Sequence, residues 1–161
     1  LARQALASAE KGFGVNHLIT ATHLDKLAQL YESIGRYKAA LPLCERSLAI
    51  YEQELGSNHP DTAQSLNNLA ILYESMGRYE EALPLHQRSL VICEQELGSN
   101  HPYTATSLNN LAGLYRAMGR YEEALLLYRR AVEIATQTLG PNHPNTQTIQ
   151  KNLQNCQNQM L

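Results

Sequence analysis

The chain has 161 residues, with 13 Lys and Arg against 15 Asp and Glu, and its formal net charge is −2 at pH 7. Nucleic-acid binding calls for a basic surface, and a membrane-spanning helix calls for about 20 consecutive apolar residues. The sequence offers neither, so we expect no nucleic-acid partner and no membrane partner. Its three cysteines, Cys44, Cys93 and Cys156, lack C-x-x-C spacing and are odd in number, which indicates a reducing, cytoplasmic environment.

One block of 42 residues recurs along the chain. Two motifs return at this spacing: Gly-Arg-Tyr at 35, 77 and 119, and Asn-His-Pro at 58, 100 and 142. Self-similarity at a fixed period is typical of a solenoid and not of a single globular core. We predict one repeat domain over 1–161, cut from a longer array. Its parts are a partial repeat at 1–14, complete repeats at 15–56, 57–98 and 99–140, and a partial repeat at 141–161.

Each complete repeat is predicted to contain two helices, which we call helix A and helix B. Between residues 62 and 75, Leu66, Leu69, Ala70 and Tyr73 follow the i, i+3, i+4, i+7 spacing of an amphipathic helix A. A second apolar stripe runs from 79 to 97 and predicts a longer helix B. The linker Gly-Ser-Asn-His-Pro carries the expected boundary residues, with glycine after one helix and Asn, His and Pro before the next.

These residues resemble a known family. The run from Ser65 to Ala82, with Leu66, Asn67-Asn68-Leu69-Ala70, Tyr73, Gly77 and Tyr79, is similar to the tetratricopeptide repeat. The 42-residue period, the long helix B and the Leu-Gly-x-Asn-His-Pro linker resemble the repeats of kinesin light chains and their bacterial relatives. The resemblance implies an all-α fold, a right-handed α-solenoid of antiparallel hairpins. It also implies that the A helices line a concave groove that binds proteins.

The helical wheel gives the candidate binding residues. Opposite the apolar stripe of each helix A lies a mostly polar face, which we expect to bind an extended peptide through Asn side chains that both donate and accept hydrogen bonds. The candidate residues are Asp25, Lys26, Gln29, Gln64, Asn67, Asn68, Ile71, Glu74, Asn109, Asn110, Gly113, Arg116, Lys151, Asn152 and Asn155.

Two points within this face stay open. Asn68 and Asn110 either line the groove or hydrogen-bond an adjacent helix, whereas Asn67 and Asn109 point more directly away from the core stripe on the wheel. Gly113 replaces the Ile71 of the preceding copy, and glycine inside a helix costs about 1 kcal/mol relative to alanine. A widened pocket and neutral drift both account for it.

No catalytic or metal centre is expected. One linker histidine recurs in each repeat, and such spacing places successive imidazoles too far apart to share an ion. His86, Cys44 and Cys93 fall on the buried stripe of helix B and are predicted core residues. No nucleophile and base recur at a suitable spacing, and the glycines serve helix ends. We therefore predict a protein that is not an enzyme and has no cofactor.

Two functional hypotheses remain. The first is a module that binds a protein or peptide in the groove. The second is a structural spacer, or an array that self-associates through its terminal half repeats. Charge differs between the A helices more than the core does, from Asp25 and Glu74 to Arg116 and Lys151, and this favours the binding module.

Overall fold

The computed structural model describes residues 1–160, and within that range every regular element is an α-helix. The helices alternate between the predicted types, with B helices at odd numbers and A helices at even numbers. Their bounds are α1 Ala2–Phe13, α2 Leu18–Ser33, α3 Tyr37–Leu55, α4 Pro60–Ser75, α5 Tyr79–Glu96, α6 Pro102–Ala117, α7 Tyr121–Leu139 and α8 Pro144–Asn158.

Histidine caps the start of every A helix. Nδ1 of His59 accepts a hydrogen bond from the backbone N–H of Asp61 at 3.1 Å, which satisfies one of the N–H groups that the first helical turn leaves without a partner. The same contact recurs in the other linkers, from Ile19 to His17, Tyr103 to His101 and Asn145 to His143. The linker histidines are therefore helix caps, in keeping with their predicted place in the linker.

Glycine ends the preceding B helices. Gly56, which follows α3, has φ of 97°, a conformation that residues with a Cβ rarely adopt. Its carbonyl oxygen accepts a hydrogen bond from the hydroxyl of Thr62 at 2.8 Å. Because Thr62 belongs to α4, this bond fixes the entry of α4 against the end of α3.

The chain divides into two compact units, one of residues 1–85 and one of residues 86–161, with the division inside α5. In the first unit, consecutive helices α1 to α4 pack on one another around Leu24, Leu27, Ala28, Tyr31 and Ala40. Pro42 lies inside α3, which continues through it.

In the second unit, α6, α7 and α8 pack in the same sequential order. Their core contains Leu108, Tyr128, Ile134, Ile149 and Cys156, each no more than 4% exposed. In neither unit is a described helix both long and apolar enough to cross a membrane.

Candidate peptide-binding face

The two A helices of the first unit are joined by polar contacts. The Ser75 hydroxyl of α4 donates to Oε1 of Glu32 on α2 at 2.7 Å. One further contact joins the same helices seven residues earlier, where Asn68 lies within hydrogen-bonding reach of Asp25. Both pairs are 43 residues apart, one more than the repeat period. Part of the predicted peptide-binding face therefore serves the packing of α2 against α4.

The second unit repeats this arrangement with amides. Nδ2 of Asn152 on α8 donates to Oδ1 of Asn109 on α6 at 2.9 Å, and these residues are again 43 apart. Nδ2 of Asn109 in turn donates to Oδ1 of Asn110 at 3.5 Å. The sequence leaves this role open for Asn68 and Asn110, and in the second unit the residues that bond an adjacent helix in this way are Asn109 and Asn152.

Asn67 differs from its prediction. Only 4% of this residue is exposed, so the expectation that it points more directly away from the core than Asn68 is wrong. The wheel treats a helix as an isolated cylinder, whereas the flank of a helix A is covered by neighbouring helices. Asn68 is the more exposed of the two, and its Oδ1 accepts a hydrogen bond from Gln64 at 3.3 Å.

Several other predicted residues lie at the surface. In the first unit, Lys26, Gln29, Gln64 and Ile71 are exposed, and 38% of Ile71 is accessible although its side chain is apolar. Glu74 is half-buried.

In the second unit, Lys151 and Asn155 are exposed, and Gly113 and Arg116 are partly buried. These residues, with Lys26, Gln29, Gln64 and Ile71, are the members of the predicted set best placed to reach a ligand.

Charge separates the A helices of the two units. Helices α2 and α4 carry Asp25, Glu32, Asp61 and Glu74 against the single cation Lys26. Helices α6 and α8, all of whose residues the structure describes, carry one charged residue each, Arg116 and Lys151, and both are cations. An anionic segment thus meets no like charge from α6 or α8.

Arg116 is close enough to α8 for its charge to affect the thiol of Cys156. Burial raises the pKa of Cys156, and the positive charge of Arg116 opposes this rise by favouring the thiolate. Arg116 also lies in the last turn of α6, where a cation interacts favourably with the helix dipole. Its guanidinium is therefore held near the junction of α6 and α8.

The carboxyl group of Asp25 has an unusual environment. Burial raises its pKa to about 6, while contacts with Ser47 and Asn68 act in the opposite direction. Among residues 1–160, its buried Oδ1 finds no hydrogen-bond donor. Asp25 is thus a half-buried acid at the junction of α2 and α4, and its Oδ1 is the buried part of the carboxyl group.

Gly113 lies beside the buried ring of Tyr128, which is 1% exposed. A Cβ built at Gly113 would stand 3.6 Å from the Tyr128 hydroxyl oxygen, an ordinary van der Waals contact. The structure therefore has room for alanine at this position. Tyr128 occupies the helix B position that holds Cys44 and His86 in the preceding copies.

The predicted core residues of helix B are confirmed. His86 is fully buried, and Cys44 and Cys93 are each 4% exposed. All three cysteines, Cys156 included, are unpaired thiols. Within residues 1–160, no cluster of three or more His, Cys, Asp or Glu side chains has the arrangement of a metal site.

Ion pairs join successive B helices within each unit. Nη1 of Arg46 on α3 donates to Oε1 of Glu10 on α1 at 2.7 Å, and Arg130 on α7 pairs with Glu94 on α5 at 2.6 Å. Arg46 and Arg130 hold equivalent helix B positions, two repeat periods apart.

Paired helices capped at fixed intervals, with no strand among residues 1–160, define a helical repeat protein. The model of the tetratricopeptide repeat family matches residues 1–53, 35–90, 62–137 and 108–160. The chain belongs to this family, and the predicted fold class, an all-α solenoid of helical hairpins, is confirmed. The tetratricopeptide repeat is a general protein–protein interaction module.

Solved structures agree with this assignment. The chain is similar to the nearly identical TPR-like repeats of a kinesin light chain from Podosopora anserina, with 30% identity, a TM-score of 0.77, and coverage of 96% of this chain and 73% of that one. It also resembles BtubC (BKLC) from P. vanneervenii, with 23% identity, a TM-score of 0.80, and coverage of 99% and 63%. The chain thus spans less than two thirds of BtubC. A comparison with curated proteins gave no match.

A more distant likeness marks the fold alone. The TPR domain of Sgt2 from Aspergillus fumigatus is 16% identical, with a TM-score of 0.64 and coverage of 87% of this chain and 78% of that one. The predicted resemblance to kinesin light chain-type repeats is confirmed by the family match and the 30% identical structure, and does not depend on this distant likeness.

The sequence prediction missed the contacts between neighbouring A helices. Their signal is the offset of 43 residues, which pairs Asn109 with Asn152 and Glu32 with Ser75. Complementary donors and acceptors at one residue more than the period would have revealed them.

Proposed function

We propose that the chain is a binding module for an extended protein segment, and that the exposed faces of its A helices carry the contacts. Lys26, Gln29, Gln64 and Ile71 would serve in the first unit. In the second unit Asn110, Gly113, Arg116, Lys151 and Asn155 would serve. Asn67 in the first unit, and Asn109 and Asn152 in the second, would support the face from behind. The protein would be non-enzymatic, cofactor-free and cytoplasmic.

The observation that carries the proposal is the charge of α6 and α8. These helices bear two cations and no acid in a protein whose net charge is −2. Repetition alone does not explain this, because the positions that precede Arg116 and Lys151 by 42 residues are Glu74 and Asn109. The second unit therefore favours a segment with acidic side chains, while Asn155 and Asn110 offer hydrogen bonds to a peptide backbone.

A second candidate function is the structural spacer. The Asn109–Asn152 bond and the burial of Asn67 favour it, because they assign part of the repeated polar face to packing. In that case the exposed cations would have no ligand to select. Association of two copies through their terminal repeats belongs to this alternative.

Peptide titration distinguishes the two functions. Short Glu-containing peptides with blocked ends are titrated by calorimetry against the whole chain, next to matched peptides in which each Glu is Gln. The binding module predicts that the Glu peptides bind more tightly and that salt weakens them selectively. Arg116→Glu combined with Lys151→Glu should lower that affinity by at least about tenfold.

Arg129→Glu is the matched control, since Arg129 is an exposed cation on α7, a helix B. It reverses a charge without touching an A helix and should leave affinity nearly unchanged. Equal binding of Glu and Gln peptides, or equal losses in the control and the double variant, would favour the spacer. Sedimentation of the whole chain over a concentration series then tests self-association.

A further inference from the structure

We propose that Asp25 makes the junction of α2 and α4 sensitive to pH, so that protonating its carboxyl group tightens the first unit. The proposal is independent of peptide binding. It rests on the arrangement of donors and acceptors around this one carboxyl group, which lies on α2 and touches side chains from α3 and α4.

The first step is the hydroxyl of Ser47. This buried group donates its hydrogen to the carbonyl oxygen of Ala21 at 3.1 Å. A serine hydroxyl has one hydrogen but two acceptor lone pairs. While the bond to Ala21 is made, Ser47 can accept from a protonated Asp25, and it can favour the carboxylate only by turning its hydrogen away from Ala21. Ionising Asp25 sets the carboxylate and the Ala21 carbonyl in competition for one hydrogen.

The second step is the orientation of Asn68. Its Oδ1 accepts from Gln64 at 3.3 Å, which turns the amide NH₂ group toward the remaining neighbours. That group is the donor available to Asp25, and it serves one carboxylate oxygen. Oδ1 of Asp25 is buried and lacks a donor among residues 1–160. An ionised carboxylate is therefore only partly satisfied, and a buried acceptor without a donor is costly.

No neighbouring cation offsets the negative charge of an ionised Asp25. On α3, the groups that sense the Asp25 charge are Cys44 and Tyr51. Both are neutral near pH 6, and burial raises their pKa values further. On α4, Asp61 and Glu74 are acids. On α1, Arg3 contacts Tyr31, Glu10 contacts Arg46, and Lys11 lies in the last turn. Helix α2 itself adds His23, Lys26 and Glu32. Burial accordingly dominates and raises the pKa of Asp25 to about 6.

The other repeats show that an ionisable group is not required here. In the other two complete repeats the positions equivalent to Asp25 are Asn67 and Asn109, and both copies fold with a neutral amide, whereas the last A helix has the exposed Lys151 there. Asp25→Asn therefore replaces the acid with the residue used elsewhere in the same chain. It resembles the protonated carboxyl group in shape and charge, and it removes the titration.

The sign of the effect follows from linkage. The pKa of Asp25 lies near 6 when folded and near 3.8 when unfolded, so the folded chain binds the additional proton between these values. Asp25 therefore contributes stability that is fully present below about pH 4 and is lost as pH rises through about 6. Ordinary paired carboxylates do the opposite.

Urea unfolding of the whole chain and of Asp25→Asn, followed from pH 5 to 7.5, tests the proposal. The ratio of the two unfolding equilibrium constants, wild type over variant, should rise roughly tenfold over this range. Other titrating groups, His23 included, are common to both proteins and cancel in the ratio. A ratio that stays constant, or that falls with pH, overturns the proposal.

Hydrogen exchange locates the effect. After correction for intrinsic rates, amides of α2 and α4 should exchange more slowly at pH 5 than at pH 7.5 in the wild type but not in Asp25→Asn, while amides of α8 serve as an internal reference. Equal changes in the two proteins contradict a local junction. If the variant does not fold, the carboxyl carbon resonance of Asp25 is titrated in the wild type. A midpoint above about 5 supports the proposal and a lower one overturns it.

Discussion

Asn152 donates a hydrogen bond to Asn109 across 2.9 Å and thereby joins two A helices that are one repeat apart. This pair occupies the face that the sequence assigns to a ligand. Asn109 also donates its own NH₂ group to Asn110, so both the oxygen and the nitrogen of its amide are engaged within the protein. The consequence is that mutations here should act first on folding and only then on binding.

A double-mutant cycle tests this consequence. Asn109→Ala and Asn152→Ala should each lower the free energy of unfolding by about 1 kcal/mol, because each leaves a partly buried partner without its hydrogen bond. The double variant should lose less than the sum, since the second substitution removes the orphaned amide. Urea unfolding provides the free energies. Additive losses would show that the two amides do not depend on each other.

Glycine at position 113 should be replaceable. Gly113→Ala is expected to raise the free energy of unfolding by up to about 1 kcal/mol, because it restores helix propensity and its Cβ meets only the Tyr128 hydroxyl at an ordinary distance of 3.6 Å. Gly77→Ala is the matched control. There φ is 72°, so a Cβ is strained and a loss of about 1 kcal/mol is expected. A destabilising Gly113→Ala would indicate that Tyr128 needs the space.

The helices were predictable in detail and the binding face was not, for one physical reason. Helix A of the second complete repeat was predicted within 62–75 and is Pro60–Ser75, because an apolar stripe and a Gly boundary depend on the helix's own residues. Asn67 was misplaced because the burial of a polar residue on the flank of a helix depends on its neighbours. The role of Asp25 was hidden for the same reason. Burial raises the pKa of Asp25, and Ser47 and Asn68, which lie on other helices, oppose that rise.

The histidine caps should carry measurable stability. His59→Ala removes the acceptor for the Asp61 N–H and should lower the free energy of unfolding by about 1 kcal/mol. His59→Asn keeps an acceptor of suitable reach at the cap position and should recover most of that loss. Thermal and urea unfolding of both variants provide the comparison. If both substitutions cost the same, the ring would contribute through packing and not through its hydrogen bond.

The three thiols should be unreactive until the chain unfolds. Cys44, Cys93 and Cys156 are each at most 4% exposed, and burial together with the nearby Asp25, Glu32 and Glu45 raises the pKa of Cys44 to about 12. The reactive species is the thiolate, so at pH 8 the Cys44 thiol is protonated as well as inaccessible. Labelling with a thiol-specific disulfide reagent should be slow in native buffer and reach three thiols per chain in denaturant. The labelling rate measures how often each site opens. Comparison with Cys44→Ser shows how much of the labelling comes from Cys44. Rapid labelling of Cys44 in native buffer would contradict its burial between α2 and α4.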